Sequence, residues 1–429
     1  MTKKTHVHLS DLQGLSRLSI EAIAGLTRLV EALHHSIARK PGVFGTSPSG
    51  TTSGITGFVY RSIQGVTALV GGGLDATFAQ LKRLVPLVPA LGARLSSPER
   101  EAVLAALNGV LGDYLADTHN PLAIPMRLRR DGQPLMLETQ ALAAAVPQPT
   151  GKLLVLVHGL CMNDLQWARP TAASRRSQET AVPDDSGHAA RLARDLGYTP
   201  IYLHYNSGRH ISSNGREFDD LMEALVSLWP VPLTEVVMLT HSMGGLVARS
   251  ACHYGAEAGH DWLRYLRRIF FLGTPHHGAP LERGGNWVDI LLGVSPYTAP
   301  FARLGKIRSA GITDLRYGNL VDEDWQGHDR FSRSATRPRS LPLPKGVLCY
   351  AIAATTVEQA SDLGQRLLGD GLVPVNSALG LHDEASLSLK FPASRLWVAY
   401  GMNHLDLLNQ TAAIDRVRRW LAPRSRRAS

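Results

Sequence analysis

Only three of the 429 residues are cysteine: Cys161, Cys252 and Cys349. They show no paired spacing and no C-x-x-C, which argues against a disulfide-stapled secreted fold and fits a reduced compartment. The N-terminus from Met1 to Ser10 is polar and charged and lacks the apolar core of a signal peptide. The chain also lacks a run of about 18 uninterrupted apolar residues, so a spanning helix is not expected. The expected location is cytoplasmic, with attachment to a membrane surface left open. Charged residues are few, 19%, and hydrophobic ones reach 44%, which excludes a disordered chain and allows a large core. Zinc-finger spacing and RNA-binding motifs are missing, so the formal net charge of +9 does not point to a nucleic-acid partner. Part of that excess is local, because Arg416, Arg418, Arg419, Arg424, Arg426 and Arg427 crowd the C-terminus. Such a run reads as a solvated tail or as a contact for anionic lipid.

What is present begins with a helical stretch. Ser10 and Gln13 have capping-box spacing, and Ile23, Leu26, Val30, Leu33 and Ile37 follow with the 3,4,3,4 spacing of one apolar helix stripe. Pro41-Gly42 ends it, and residues 42–57 read as a loop. A second apolar segment, about 58–91, carries Gly71, Gly72 and Gly73 in its middle. The glycines either break it or let it pack closely on another helix. Ser97 and Pro98 mark the start of a third helix. Residues 1–122 are therefore expected to form a helical N-terminal extension, which either packs on the rest of the chain or docks it on a lipid surface.

The pattern changes near Pro125. Met126–Arg130 and Pro134–Glu138 flank Asp131-Gly132, a hairpin signal. Apolar strands then alternate with helices. The strands are Leu153–Val157, Pro200–His204, Val236–Leu239, Ile269–Leu272, Val347–Ala351 and Leu396–Ala399; the helices are Gly215–Leu228, Gly244–Tyr254 and Leu405–Leu421. This alternation predicts an α/β fold, a mostly parallel sheet with helices on both faces, over residues 123–429.

The segment from Val236 to Val247 carries the chemistry. An apolar strand enters a tight turn at Thr240-His241-Ser242-Met243-Gly244-Gly245, and a helix leaves it. A serine there projects its hydroxyl from the sheet, and the helix N-terminus turns its free N–H groups toward developing negative charge. This resembles the G-x-S-x-G nucleophile elbow of α/β-hydrolases, with Thr240 in place of the first glycine. His158-Gly159-Leu160 after the first parallel strand is similar to the H-G motif of lipases. Gly369-Asp370-Gly371-Leu372-Val373-Pro374 resembles the acid loop of bacterial lipases, and Gly273-Thr274-Pro275-His276-His277-Gly278 resembles a turn common in lipases and GPI-inositol-deacylase-like hydrolases.

The resemblance to bacterial triacylglycerol lipases and GPI-inositol-deacylase-like serine esterases covers about residues 152–421. It implies an α/β-hydrolase fold and a carboxylic ester hydrolase, a lipase or esterase acting through an acyl-enzyme. Ser242 would be the nucleophile, His404 the base and Asp370 its orienting acid, with the backbone N–H groups of Leu160 and Met243 as the oxyanion hole. His382 is the alternative base. His158 would be structural, and His276-His277 would form a turn rather than a metal site. Asp406 matches a calcium ligand of calcium-dependent lipases, but no partner aspartate is found, and a helix-start aspartate explains it equally well. No cofactor is required, and structural calcium stays open. Residues 279–343 interrupt the core pattern and would form a movable lid or a fixed cap. The partner would be a lipid-like acyl ester. Other readings are an acyltransferase, a phospholipase or a polyester depolymerase with the same residues, or a non-catalytic lipid- or protein-interaction module on the same fold.

Overall fold

The computed structural model describes His8 and residues 10–21, 72–76, 96–168, 187–279, 309–327, 341–358 and 369–422. The expected stripe from Ile23 to Ile37, the loop 42–57, most of 58–91, much of the insertion (280–308 and 328–340) and Arg424, Arg426 and Arg427 lie outside the described residues. The chain divides into two compact units, one of residues 1–100 and 115–123, the other of residues 101–114 and 124–429. A helix from Pro98 to Asp117 contributes residues to both.

In the smaller unit a helix occupies residues 10–21. Its start differs from the expected capping box. The His8 N–H donates to Asp11 Oδ2 at 2.9 Å, so Asp11, not Gln13, reaches back, and to a residue two positions before Ser10. Gln13 instead donates to Asp75 Oδ1 at 3.1 Å, and Arg17 pairs with the same carboxylate at 2.7 Å. Residues 72–76 are helical and include Gly72 and Gly73, while Gly71 lies outside the described residues. A Cβ on Gly72 or Gly73 would meet nothing within 4 Å, so neither glycine serves close packing among the described residues. Ser97 caps the third helix as expected, accepting from the Arg100 N–H at 3.2 Å.

The larger unit is built on one eight-stranded sheet in the order β2-β1-β4-β3-β5-β6-β7-β8. The strands are β1 Arg127–Arg130, β2 Gln133–Pro134, β3 Lys152–Val157, β4 Thr199–His204, β5 Glu235–His241, β6 Leu266–Leu272, β7 Leu348–Thr355 and β8 Leu396–Tyr400. The hairpin β1–β2 turns at Asp131 and Gly132, with φ of 49° and 73°, the pair of positive values that a two-residue turn of matching twist needs. β1 pairs antiparallel with β4; every pair from β4 through β8 is parallel.

The central strands are apolar without interruption because both faces are covered. Leu153, Val155 and Val157 of β3 join a core with Phe218, Met222 and Leu225 of the helix Ile211–Leu228 and with Leu246, Val247 and Ala251 of the helix Met243–Ala258. Leu154 and Leu156 point the other way, into a core with Leu192, Ile414, Val417 and Leu421. The expected single helix Leu405–Leu421 is two, Asp406–Asn409 and Thr411–Leu421, separated by Gln410 in extended geometry at ψ 128°. On the second of these, Arg418 pairs with Asp195 at 2.6 Å and Arg416 lies over the Trp397 ring at 5.0 Å, so part of the basic C-terminal run is engaged. Among the described residues no helix is long and apolar enough to cross a membrane.

Candidate active site

Ser242 stands between β5 and the helix Met243–Ala258, buried to 5% exposure, with φ 53° and ψ −127°. A non-glycine residue held at positive φ stores backbone strain, and the surrounding packing must enforce it. The enforcement is visible. The Ser242 N–H donates to Leu272 O at 2.8 Å, extending the β5–β6 ladder into the turn. A Cβ on Gly244 would come within 2.5 Å of His158 O and 2.6 Å of Val157 O, and one on Gly245 within 2.1 Å of Thr274 Oγ1. Both positions must therefore be glycine for the helix to leave across β3 and β6. Thr240 fits where the motif has a glycine because its hydroxyl is spent: Oγ1 donates to Phe270 O at 3.0 Å across the β5–β6 pair.

Asp370 and His404, 34 residues apart, are brought together in full burial. The His404 Nδ1–H donates to Asp370 Oδ2 at 2.6 Å. The other carboxylate oxygen accepts the Leu372 and Val373 N–H groups at 3.0 and 2.8 Å, so the acid is fixed by its own loop. A backbone bond from His404 N to Asp370 O, 3.2 Å, ties the two loops together. His404 Nε2 is buried and makes no hydrogen bond, so in this structure Ser242 is not yet bonded to it. The two nevertheless meet the same structure at the end of β6. Ser242 is bonded to Leu272, and a Cβ on the next residue, Gly273, would lie 3.0 Å from His404 Cε1.

His241, the residue before the serine, adds a tie that the sequence reading did not assign. Its Nε2–H donates to His404 O at 3.0 Å, and the two rings lie 4.6 Å apart. Burial holds the His241 imidazole well below its ordinary pKa, so it stays neutral beside His404. Its position inside the elbow motif was the available signal.

The loop after β3 packs on the serine: a Cβ on Gly159 would lie 2.9 Å from Ser242 Cβ. Leu160 and Met243 are both buried, and Met243 opens its helix, where the N–H has no intrahelical acceptor. Tyr205 fixes the loop by donating its hydroxyl to His158 O at 2.8 Å, and the Cys161 N–H donates to Ser207 Oγ at 3.0 Å. Cys161 itself sits at φ 58°. Burial lowers the His158 pKa to about 4, so this imidazole is neutral, stacked on Tyr205 with centroids 4.3 Å apart. Farther along the loop, Arg129 donates to Asp164 and Glu101, each at 2.9 Å.

His382 is not near Asp370 by any bond: its Nδ1 accepts the Glu384 N–H at 3.0 Å, and its ring meets His277 edge to face at 5.1 Å. The turn of His276 and His277 forms through the Gly278 N–H to Pro275 O at 3.0 Å. Asp406 Oδ2 accepts the Asn403 N–H at 2.9 Å at the head of its short helix. Among the described residues the one group with metal-binding spacing is Asp219, Asp220 and His260, which includes neither Asp406 nor these histidines.

The strand order, with its antiparallel hairpin at one edge and a serine turn after β5, is accompanied by a sequence match. Residues 148–342, somewhat under half of the chain, match the family model of the PGAP1-like alpha/beta domain. The fold is the α/β-hydrolase fold. No curated protein matches the chain in sequence. Among solved structures, the mature Bacillus licheniformis lipase BlEst2 is similar over 64% of this chain and 95% of its own, with 16% identity and TM-score 0.39. Aspergillus fumigatus lipase B is similar over 66% and 57%, with 12% identity and TM-score 0.34. A Pyrococcus furiosus esterase is similar over 63% and 81%, with 13% identity and TM-score 0.34.

Proposed function

We propose that this chain is a serine hydrolase that cleaves carboxylic esters, with Ser242 as nucleophile, His404 as base and Asp370 as orienting acid. One observation carries the reading. A buried imidazole is held through Nδ1 by a carboxylate 2.6 Å away, and its other nitrogen is left without a partner next to the strained serine turn. The carboxylate sets this ring apart: His158, His241 and His276 also leave one buried nitrogen unpartnered, but their other nitrogen meets a backbone carbonyl or a guanidinium. A base waiting for a substrate-bound serine leaves one unspent, and catalytic hydrogen bonds often tighten only in the complex.

In the proposed cycle His404 Nε2 takes the Ser242 hydroxyl proton as the oxygen attacks the ester carbonyl. The carbonyl oxygen, now negative, is met by the N–H groups of Leu160 and Met243. His404 returns the proton to the leaving alcohol, and water attacks the acyl-enzyme by the same route. Asp370 stays ionised and steadies the imidazolium. Acyl transfer of this kind uses no cofactor. The substrate class we assign is an acyl ester of lipid type, on the motif resemblance.

A fluorophosphonate probe should label the wild-type chain at Ser242. Ser242→Ala should lose the label and fall on the order of 10⁶-fold in kcat on soluble esters, while its circular dichroism is unchanged. Labelling at another serine would overturn the assignment. An ester chain-length series then tests the lipid part, which fails if acetyl esters are preferred over long acyl chains.

A further inference from the structure

A small cavity of about 30 Å³ lies in the larger unit beside the helix Met243–Ala258, and Arg249, His276, His277 and His382 line it. None of these four has a role in the proposed cycle. Arg249 and His276 are each 3% exposed. Arg249 Nη1 donates to His276 Nδ1 at 3.2 Å, and Nη2 donates to Leu341 O. Among the described residues its Nε–H has no partner and no carboxylate pairs with it. Asp324 acts on it only through space, because its carboxylate is held by the Leu320 and Val321 N–H groups at 2.7 and 3.1 Å and makes no ion pair with Arg249 among the described residues.

The proton positions follow from these bonds. A guanidinium only donates, so His276 Nδ1 must accept, and the neutral ring carries its proton on Nε2. That Nε2–H is buried and unpartnered. His382 Nδ1 accepts from Glu384, so it too carries its proton on Nε2. Burial and the adjacent Arg249 keep His276 neutral, and desolvation lowers Arg249 only to about 10, so the guanidinium is still charged at neutral pH. The cavity wall thus offers the Nε2–H groups of His276 and His382 and one full positive charge, beside one acceptor at His277 Nε2, and among the described residues no acidic side chain lines it.

A buried charge without a close partner of opposite sign is costly. A water would satisfy a donor but leave the charge. A negative ion satisfies both. The space is small, about 30 Å³ for a water-sized sphere, which suits a monoatomic ion. We propose that the cavity binds a single halide ion, chloride in ordinary solution, between Arg249 and His276. The ion would fasten the helix after Ser242 to the turn after β6, independently of the ester chemistry.

The test compares melting of the full chain in sodium chloride and in sodium gluconate at equal ionic strength. The expected result is a higher Tm in chloride, rising by about 2 °C or more per tenfold concentration once the site is filling. Arg249→Met, which replaces the charge with an apolar chain of similar length, should melt alike in both salts. Crystals grown in bromide should give an anomalous peak within hydrogen-bond reach of the Arg249 Nε and His276 Nε2. Equal melting of the wild-type chain in the two salts would overturn the proposal, as would bromide crystals with a water at that position. A chloride response that survives Arg249→Met would overturn it too. If that variant does not fold, the wild-type melting and the bromide peak decide alone. None of these readouts depends on Ser242, so failure here leaves the hydrolase reading standing.

Discussion

Two buried histidines near the end of β6 show how a partner's charge sets what an imidazole can do. His404 and His276 are exposed to 1% and 3%, each bonded through Nδ1, each with Nε2 unspent. His404 bonds to a carboxylate, which fixes Nδ1–H and leaves a basic lone pair on Nε2. His276 bonds to a guanidinium, which occupies the lone pair of Nδ1 and leaves Nε2 as a donor. The first ring can take a proton and be steadied as a cation. The second is driven away from accepting one by burial and then by Arg249, and offers a hydrogen bond to something negative. The same residue, with similar burial in the same unit, is thereby fitted to act as a base in one place and as an anion ligand in the other, the two roles proposed above.

The largest effects should come from breaking the first pair. Asp370→Asn keeps the shape of the acid but loses its charge and admits the wrong tautomer, so kcat should fall about 10⁴-fold with little change in KM. His404→Ala should fall at least as far. His382→Ala should stay within a few-fold of the wild-type rate. A dead His382→Ala beside an active His404→Ala would exchange the two roles, and a fully active Asp370→Asn would remove the acid.

The next effect concerns stability at the elbow. Gly244→Ala places a methyl against two backbone carbonyl oxygens, His158 O and Val157 O, neither of which can turn aside. Gly245→Ala meets mainly the Thr274 side chain. Overpacking of this kind costs about 1–3 kcal/mol, and Gly244→Ala should be the worse of the two in urea unfolding. Adding Thr274→Ala should recover part of the Gly245→Ala loss and none of the Gly244→Ala loss. Additive effects at Gly245 and Thr274 would mean the contact does not limit that position.

Much of the sheet was legible in the sequence because its signals are local. Continuous apolar runs between turn residues mark doubly covered strands, and six such runs fall within β3 to β8, with Val347 alone just outside. The serine turn was legible for the same reason, as was the pairing of a D-G-x-V-P loop with a histidine after the last strand. Thr240 shows the limit: a motif deviates, and only the strand neighbour Phe270 explains why the deviation is harmless. Arg249 was invisible, since an arginine on a helix reads as a surface residue until the turn of His276 and the backbone of Leu341 close over it. At Ser10 the local signal misled, because Gln13 is drawn to Asp75 and the side chain that reaches back is Asp11, to the His8 N–H.

The smallest effect sharpens the comparison with a third histidine. His158 has neither a carboxylate nor a guanidinium bonded to it; its Nδ1–H donates to Gly159 O at 2.9 Å, and burial, with a smaller push from the Arg129 charge, brings its pKa down to about 4. In the unfolded chain it titrates near its ordinary 6.5. Between those values the unfolded state binds the extra proton, so stability should decline as pH falls from about 6.5 toward 4, by at most about 1.4 kcal/mol per pH unit for this one group. His204, His241 and His276 are lowered in the same direction and should add to the slope. His158→Phe keeps a ring to stack on Tyr205 and removes the titration. Its unfolding free energy, measured in urea from pH 7 to pH 4.5, should therefore decline less steeply than that of the wild type, whatever its stability at pH 7. Parallel curves for the two proteins would mean that His158 is protonated in the folded chain, and the neutral loop beside Ser242 would have to be redrawn with a charge in it.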